Sequence, residues 1–422
     1  MTKRSRILLA TLWCCVHVAS SQIQWEKYQG NPVMDCGPFG SWEDMAVIPS
    51  HVLVQGSIYH MWYDGFDGAV FRVGHATSTD KGMTWTKDSL NPVLTANLPW
   101  EGTSLLGVSV IYVGGRYNVW YTAGNTNGVW RIGFATSPDG KTSWSKAMNP
   151  VLSSAAVGPW AGYRVELPTI LATDSPEGFK MWFDGVADIT LFAQIGYATG
   201  SSETTWTTSG TGPIINYGGP GSWDNFQLLS PKVIHNGQSY EMWYQGVSAG
   251  ADFTKGKVGY AKATNETTWT RNPDPVLLPG SSGSWDDVGV MPGAVIFDGS
   301  KYHMWYAGYD GSKYRIGYAT SDVVPSTGDA PHQIPASFVL EQNFPNPFNP
   351  ATTIRYSTPR RSHVTLAVFN VLGQEVAELI NGHIEAGSHE VQFNAHGLAS
   401  GLYLYRMKAG DFVRTLKLHV LK

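Results

Sequence analysis

Short runs in which apolar and polar residues alternate, bounded by Gly, Pro, Asn and Asp, recur along most of the chain. Alternation of period two over a few residues predicts strands with one buried face, not helices. The runs are also copies of one another. His60-Met61-Trp62-Tyr63, Asn118-Val119-Trp120-Tyr121, Lys180-Met181-Trp182-Phe183, Glu241-Met242-Trp243-Tyr244 and His303-Met304-Trp305-Tyr306 place their tryptophans 58, 62, 61 and 62 residues apart. A repeat of about sixty residues sets the architecture before any local reading does.

Each unit opens with a turn and a tryptophan (Trp42, Trp100, Trp160, Trp223, Trp285). A mostly proline-bearing apolar run follows, then the Trp-Tyr or Trp-Phe strand. A third run comes next, such as Gly74-His75-Ala76-Thr77-Ser78, and then a fourth, which holds a tryptophan and Asn-Pro-Val-Leu or a variant. Four short strands per unit predict an antiparallel sheet, and radial repetition of such sheets predicts an all-β, five-bladed β-propeller. The fifth unit ends after Ser321 without its fourth strand, whereas Trp25 to Met34 has that strand's pattern. The N-terminal segment is therefore expected to complete the last blade, which removes an open edge without a disulfide.

Residues 1–21 read as a secretory leader: Lys3, Arg4 and Arg6, an apolar stretch from Ile7 to Val18, then small residues. The apolar part is too short to span a bilayer. Loss of the leader removes three basic residues and leaves 26 basic against 33 acidic, a net −7. That balance argues against nucleic acid as a partner and suits a neutral glycan. Cys14 and Cys15 leave with the leader, so Cys36 alone remains and no intrachain disulfide can form. The chain is expected to act as a monomer, without cofactor or metal, since no metal-ligand spacing is present.

The pattern lapses over 324–337 into Pro, Ser, Gly, Asp and Ala, a linker composition, before a second domain at 338–422. There, Val364, Leu366 and Val368 alternate with Thr365, Ala367 and Phe369, as in a small Ig-like β-sandwich. The opening Gln342-Asn343-Phe344-Pro345-Asn346-Pro347-Phe348-Asn349-Pro350 and the core Asn370-Val371-Leu372-Gly373-Gln374-Glu375 resemble the type A C-terminal sorting domain of the type IX secretion system. The resemblance implies passage across the outer membrane, by way of the type IX machinery, to the surface or the exterior.

Innermost strands of a propeller begin, and second strands end, at one face near the axis, where a site is expected. With the inner strands aligned on Pro49, Ser109, Pro168, Pro231 and Pro292, the position two earlier holds Val47, Gly107, Glu166, Leu229 and Val290. Glu166 alone is acidic there. An unpaired carboxylate in such a slot costs several kcal/mol, so it is either functional or paired with Arg164 two residues earlier.

With the Glu-Leu-Pro context of Glu166 and the Asn-Pro-Val-Leu turns, 22–323 resembles the five-bladed propeller glycoside hydrolases of families 43 and 32, with turns similar to family 130. The resemblance implies that Glu166 is a general acid. The family's blade-one base and blade-two acid transfer poorly: Ile48 precedes Pro49, and Glu101 lies several residues early. Asp44 and Asp64 are the candidates for the second carboxylate, and Arg164, Asp184, Asp287 and Trp130 for substrate binding. An inverting hydrolase needs its two carboxyls roughly 6.5 to 9.5 Å apart. Acids after the opening tryptophans can equally be turn caps of the repeat. Ser78 to Trp85 resembles the Asp-box turn of sialidase-type propellers, which is structural in that family, and the repeated tryptophans read as packing. The expected function is a secreted or surface glycoside hydrolase acting on a polysaccharide or oligosaccharide by acid/base catalysis; the rival is a non-catalytic propeller that binds carbohydrate or protein.

Overall fold

The computed structural model describes residues 23–124, 128–173, 178–322 and 338–420, the last apart from 341, 344, 345, 347, 349, 385 and 411. The leader and the 324–337 linker lie outside the described residues. No described helix is long and apolar enough to cross a membrane.

Five antiparallel units of four strands follow the sequence repeat. Blade one runs Ala46–Gln55, Ile58–Phe66, Phe71–Ser78 and Thr86–Lys87, and blade three Arg164–Ala172, Phe179–Val186, Ala193–Gly200 and Trp206–Thr208. The inner strands of blades two, four and five are Ser104–Val113, Gln227–His235 and Gly289–Phe297. Each inner strand touches the inner strands of the two neighbouring blades in cyclic order, so the ring closes. In blade five the outermost strand comes from the N-terminal segment: Glu26 pairs with Thr320 and Lys27 with Ala319.

The repeated residues explain themselves in the contacts between and within blades. The indole Nε1 of Trp62 donates to Gly140 O on the next blade at 2.8 Å, and Trp305 donates to Gly82 O at 2.9 Å. Those carbonyls belong to the Asp-box turns, where Asp80 and Asp139 gather backbone N–H groups from their own loops. Gly82 has a left-handed backbone at φ +80°, and a Cβ there would meet the Trp305 ring at 2.3 Å. The box is thus a socket for the neighbouring blade's tryptophan. Trp243 is the exception: its buried Nε1 has no partner among the described residues, and Trp25 from the N-terminal segment packs edge-on against it at 5.9 Å.

The acid after each opening tryptophan has an equally local purpose. Tyr63, Tyr121 and Tyr306 donate their hydroxyls to Glu43, Glu101 and Asp286, and Lys87, Lys146 and Lys27 pair with the same acids. Tyr244, Asp224 and Arg271 repeat the arrangement in blade four. Blade three replaces the tyrosine by Phe183 and the acid by Ala161, so hydroxyl and carboxylate disappear together. The Asn of Asn-Pro-Val-Leu works like a strand: Asn91 accepts from His75 N at 2.7 Å and donates to His75 O at 2.9 Å, and Asn31 does the same with Tyr318.

The C-terminal domain stacks a three-stranded sheet on a four-stranded one. Its core contains Leu340, Ile354, Tyr356, Tyr405 and Leu418 together with Val364, Leu366 and Val368 of the alternating run.

Candidate functional site

Strand register corrects the alignment of the inner strands. The residue facing the strand-two tryptophan is His51, Ser109, Thr169, Lys232 and Ala294 in blades one to five. A bulge follows toward the mouth, and the next paired level holds Ile48, Leu106, Glu166, Leu229 and Met291, opposite Asp64, Thr122, Asp184, Gln245 and Ala307. Prolines misled the alignment because Pro49 and Pro292 are still paired with the tyrosine, whereas Pro168 and Pro231 lie within the bulge. The equivalents of Glu166 are therefore Ile48, Leu106 and Met291 in place of Val47, Gly107 and Val290. All five side chains are half-buried, each following a fully buried neighbour. Glu166 is the one acid among four aliphatic groups at this level of the ring.

Glu166 is not tied up by Arg164. No ion pair joins them among the described residues; the Arg164 guanidinium lies over the Tyr163 ring at 4.9 Å, and its Nε is buried without a partner. A Cβ on Gly128, at φ +83°, would come within 2.8 Å of Arg164 Nη2, so this arginine packs under the blade-two hairpin. Burial pushes the Glu166 carboxyl up to about 7, and the Arg164 charge opposes that only in part.

Asp184 stands directly across the strand pair from Glu166 and is fully buried. Its Oδ1 accepts from Ser230 N at 3.2 Å, while Oδ2 is buried with no partner. Burial first, and the Glu166 charge second, hold its carboxyl well above the usual carboxylate range. Two neighbouring carboxyls in a site of low polarity do not both ionise, so the pair holds a proton near neutrality.

Asp64 has a different task. Both its oxygens accept from Gly107 N at 3.0 Å, and Oδ2 also accepts from Ser50 Oγ at 2.8 Å. Thr122 Oγ1 likewise accepts from Leu167 N at 2.7 Å, and Asp184 from Ser230 N. Gly107, Leu167 and Ser230 are left-handed, at φ +62°, +53° and +52°. The residue two before the end of strand two thus latches the inner-strand bulge of the next blade. Burial raises the Asp64 carboxyl to about 6, against its hydrogen bonds and Lys232.

Asp44 and Asp287, expected as base and substrate contact, both close their own turns: Oδ2 accepts from Gly40 N and from Gly283 N, each at 2.7 Å. That is the capping alternative, and it corrects the pairing of Glu166 with Asp44 or Asp64; the carboxyl beside Glu166 is that of Asp184. Asp287 also lines a surface cavity of about 530 Å³ with Trp285, Asp310 and Arg315 on the outer part of blade five, which does not include Glu166. Trp130 is half-buried and its ring covers the backbone of Gly124, where a Cβ would meet it at 2.5 Å. Among the described residues no group of His, Cys, Asp and Glu could hold a metal.

Two axial residues escaped the sequence reading. Lys232, 6% exposed, reaches from blade four to donate to Ser50 O of blade one at 3.2 Å, across the axis. Burial lowers it to about 8 despite Asp64 and Asp184. His51 stays neutral, since burial and then Lys232 push it down to about 3. The outlier test that singles out Glu166 also finds Lys232 once it is applied to the position after Pro231.

No curated protein matches the chain in sequence. Solved structures do match its fold. A β-1,2-mannobiose phosphorylase from Listeria innocua superimposes with a TM-score of 0.56 at 13% identity, covering 71% of this chain and 97% of that one. A glycosyl hydrolase from Bacteroides ovatus gives 0.56 at 17%, covering 73% and 96%. A structure from the GH130 family of mannoside phosphorylases, described as containing glycoside hydrolases that target β-1,2-mannosidic linkages in Candida mannan, gives 0.55 at 17%, covering 74% and 96%. At these identities the likeness fixes the fold, a β-propeller shared with glycoside hydrolases and phosphorylases. Residues 342–421 match the family model of the secretion system C-terminal sorting domain, so the chain carries a type IX signal for delivery to the cell surface or the extracellular space.

Proposed function

We propose that the exported propeller is a carbohydrate-active enzyme that cleaves a glycosidic bond, with Glu166 as the proton donor. The observation that carries this is a half-buried carboxyl, without an ion-pair partner among the described residues and pushed up to about 7, at a level of the ring where the other blades are aliphatic. A group that titrates near the working pH is both protonated often enough and acidic enough to give its proton to the leaving oxygen. Asp184 is sealed from solvent, so it serves to hold the proton on the pair and does not touch the sugar. Similarity of fold to glycoside hydrolases and a mannobiose phosphorylase supports the substrate class.

The attacking group is water or phosphate. Phosphate brings its own nucleophilic oxygen, and Glu166 is the one axial carboxyl among Asp64, Glu166 and Asp184 that is not fully buried. Arabinan, xylan, mannan and fructan, each with and without inorganic phosphate, separate the two by whether reducing sugar or sugar phosphate forms. Glu166→Gln is expected to lower turnover at least a hundredfold; unchanged turnover removes the assignment. The rival reading is a propeller that binds glycan without cleaving it. It is favoured by Asp64 and Asp184 both being spent on interblade latches, and it wins if the wild type retains a glycan but releases no product.

A further inference from the structure

Among the five residues that face the strand-two tryptophans from the inner strands, Lys232 alone carries an ammonium. Lys232 lies one level below the Glu166 ring, where the sister blades carry His51, Ser109, Thr169 and Ala294. Nothing in the repeat calls for an ammonium there, and a buried ammonium without counter-charge is costly. Its Nζ donates to the Ser50 carbonyl on blade one, not on an adjacent blade, and Ser50 Oγ donates in turn to Asp64 Oδ2 at 2.8 Å. Ser50 therefore bridges the two, meeting Lys232 through its carbonyl and Asp64 through its hydroxyl, and Asp64 also receives Gly107 N.

The charged and titratable groups facing this centre are few. Blade one supplies Asp64 and the neutral His51, blade three supplies Glu166, Asp184 and Arg164, and blade four supplies Lys232. Asp64 has two donors to stabilise an anion, Gly107 N shared between both oxygens and Ser50 Oγ, whereas Asp184 has one, Ser230 N, with no partner for its second oxygen among the described residues. Lys232 acts on both Asp64 and Asp184, and Asp64 is the better hydrogen-bonded of these two buried acids.

We infer that Lys232 is a positioning residue: the counter-ion that keeps Asp64 ionised across the axis, so that the transferable proton resides on the Glu166–Asp184 pair. The inference rests on the proposed role of Glu166 for its catalytic meaning, but not for its electrostatics. Without Lys232, Asp64 takes up a proton near neutrality and the partition between the acids is lost.

The test is a pH titration by NMR of protein labelled with ¹³C at the Asp and Glu side-chain carboxyls, assigned with Asp64→Asn, Asp184→Asn and Glu166→Gln. Lys232→Met removes the charge while keeping an apolar stem, and Lys232→Arg keeps the charge. The Asp64 midpoint is expected to rise by about 1–3 pH units in Lys232→Met and to stay within a few tenths of a unit of wild type in Lys232→Arg. An unmoved midpoint in Lys232→Met, or an equal shift in both variants, overturns the inference. If the midpoint moves as stated but no glycan is cleaved by the wild type, the counter-ion role stands and the enzymatic reading falls; cleavage with an unmoved midpoint gives the reverse.

Discussion

Replacing Glu166 by Gln removes a charge but little shape, and the environment of Glu166 fixes the direction of the stability change. Burial pushes its carboxyl up to about 7 in the folded state, against 4.5 for an ordinary glutamate. Because the folded-state value is the higher, the folded chain holds this proton more tightly than the unfolded chain. The group favours the native state most fully below pH 4.5, and that advantage is lost as pH rises through about 7. A separation of this size corresponds to about 3 kcal/mol. Glu166→Gln is then close to wild type at acid pH and more stable above neutrality, by up to about 3 kcal/mol, or on the order of 6 °C in melting temperature for a domain of this size. Relief of the like charge beside Asp184 acts in the same direction. Guanidinium unfolding followed by tryptophan fluorescence, at several pH values between about 4.5 and 8, measures the difference directly. Parallel stability curves for the two proteins would refute the claim that this carboxyl is buried, unpaired and proton-binding.

Other substitutions probe the roles of the remaining carboxylates and the closure. Asp44→Ala and Asp287→Ala each remove a charged acceptor from one turn N–H; each is expected to destabilise by about 1–2 kcal/mol in chemical denaturation, with turnover changed no more than a few-fold. Asp64→Ala leaves Gly107 N and Ser50 Oγ without their acceptor and is expected to cost about 2–3 kcal/mol, read as a lower unfolding midpoint at unchanged slope. Deleting residues 23–34 uncovers the edge strand Tyr314–Asp322 and removes the Lys27–Asp286 ion pair; a lower melting temperature and concentration-dependent association in size-exclusion chromatography are expected.

Repetition made most of the fold legible. Trp62 and its four counterparts announce the blade period because each must sit in the same interblade space, and the Trp25 to Met34 pattern foretells the strand that pairs with blade five. Glu166 was legible for the opposite reason, as a departure from the repeat. What the sequence hid was register. A bulge of one residue between Glu166 and Thr169, and between Pro49 and His51, changes which residues share a level without changing composition. Asp44 and Asp64 stand as candidates for chemistry in the sequence because a carboxylate that accepts N–H bonds from a turn or a neighbouring blade looks the same there as one aimed at a substrate. Lys232 went unread because its partner Ser50 is 182 residues away and is reached only through the closed ring. The pairing of Phe183 with Ala161, in the blade that carries Glu166, was visible in principle as the joint loss of a hydroxyl and an acid.

The proton-donor role of Glu166 is tested most directly by leaving-group dependence. A donor matters greatly when the departing group is a sugar alkoxide and little when it is an acidic phenol. Once a cleaved glycan identifies the sugar, kcat/KM for wild type and Glu166→Gln is compared on that oligosaccharide and on the corresponding 2,4-dinitrophenyl glycoside. The account predicts a loss of at least about a hundredfold on the oligosaccharide and less than about tenfold on the activated glycoside. Equal losses on both substrates would contradict it.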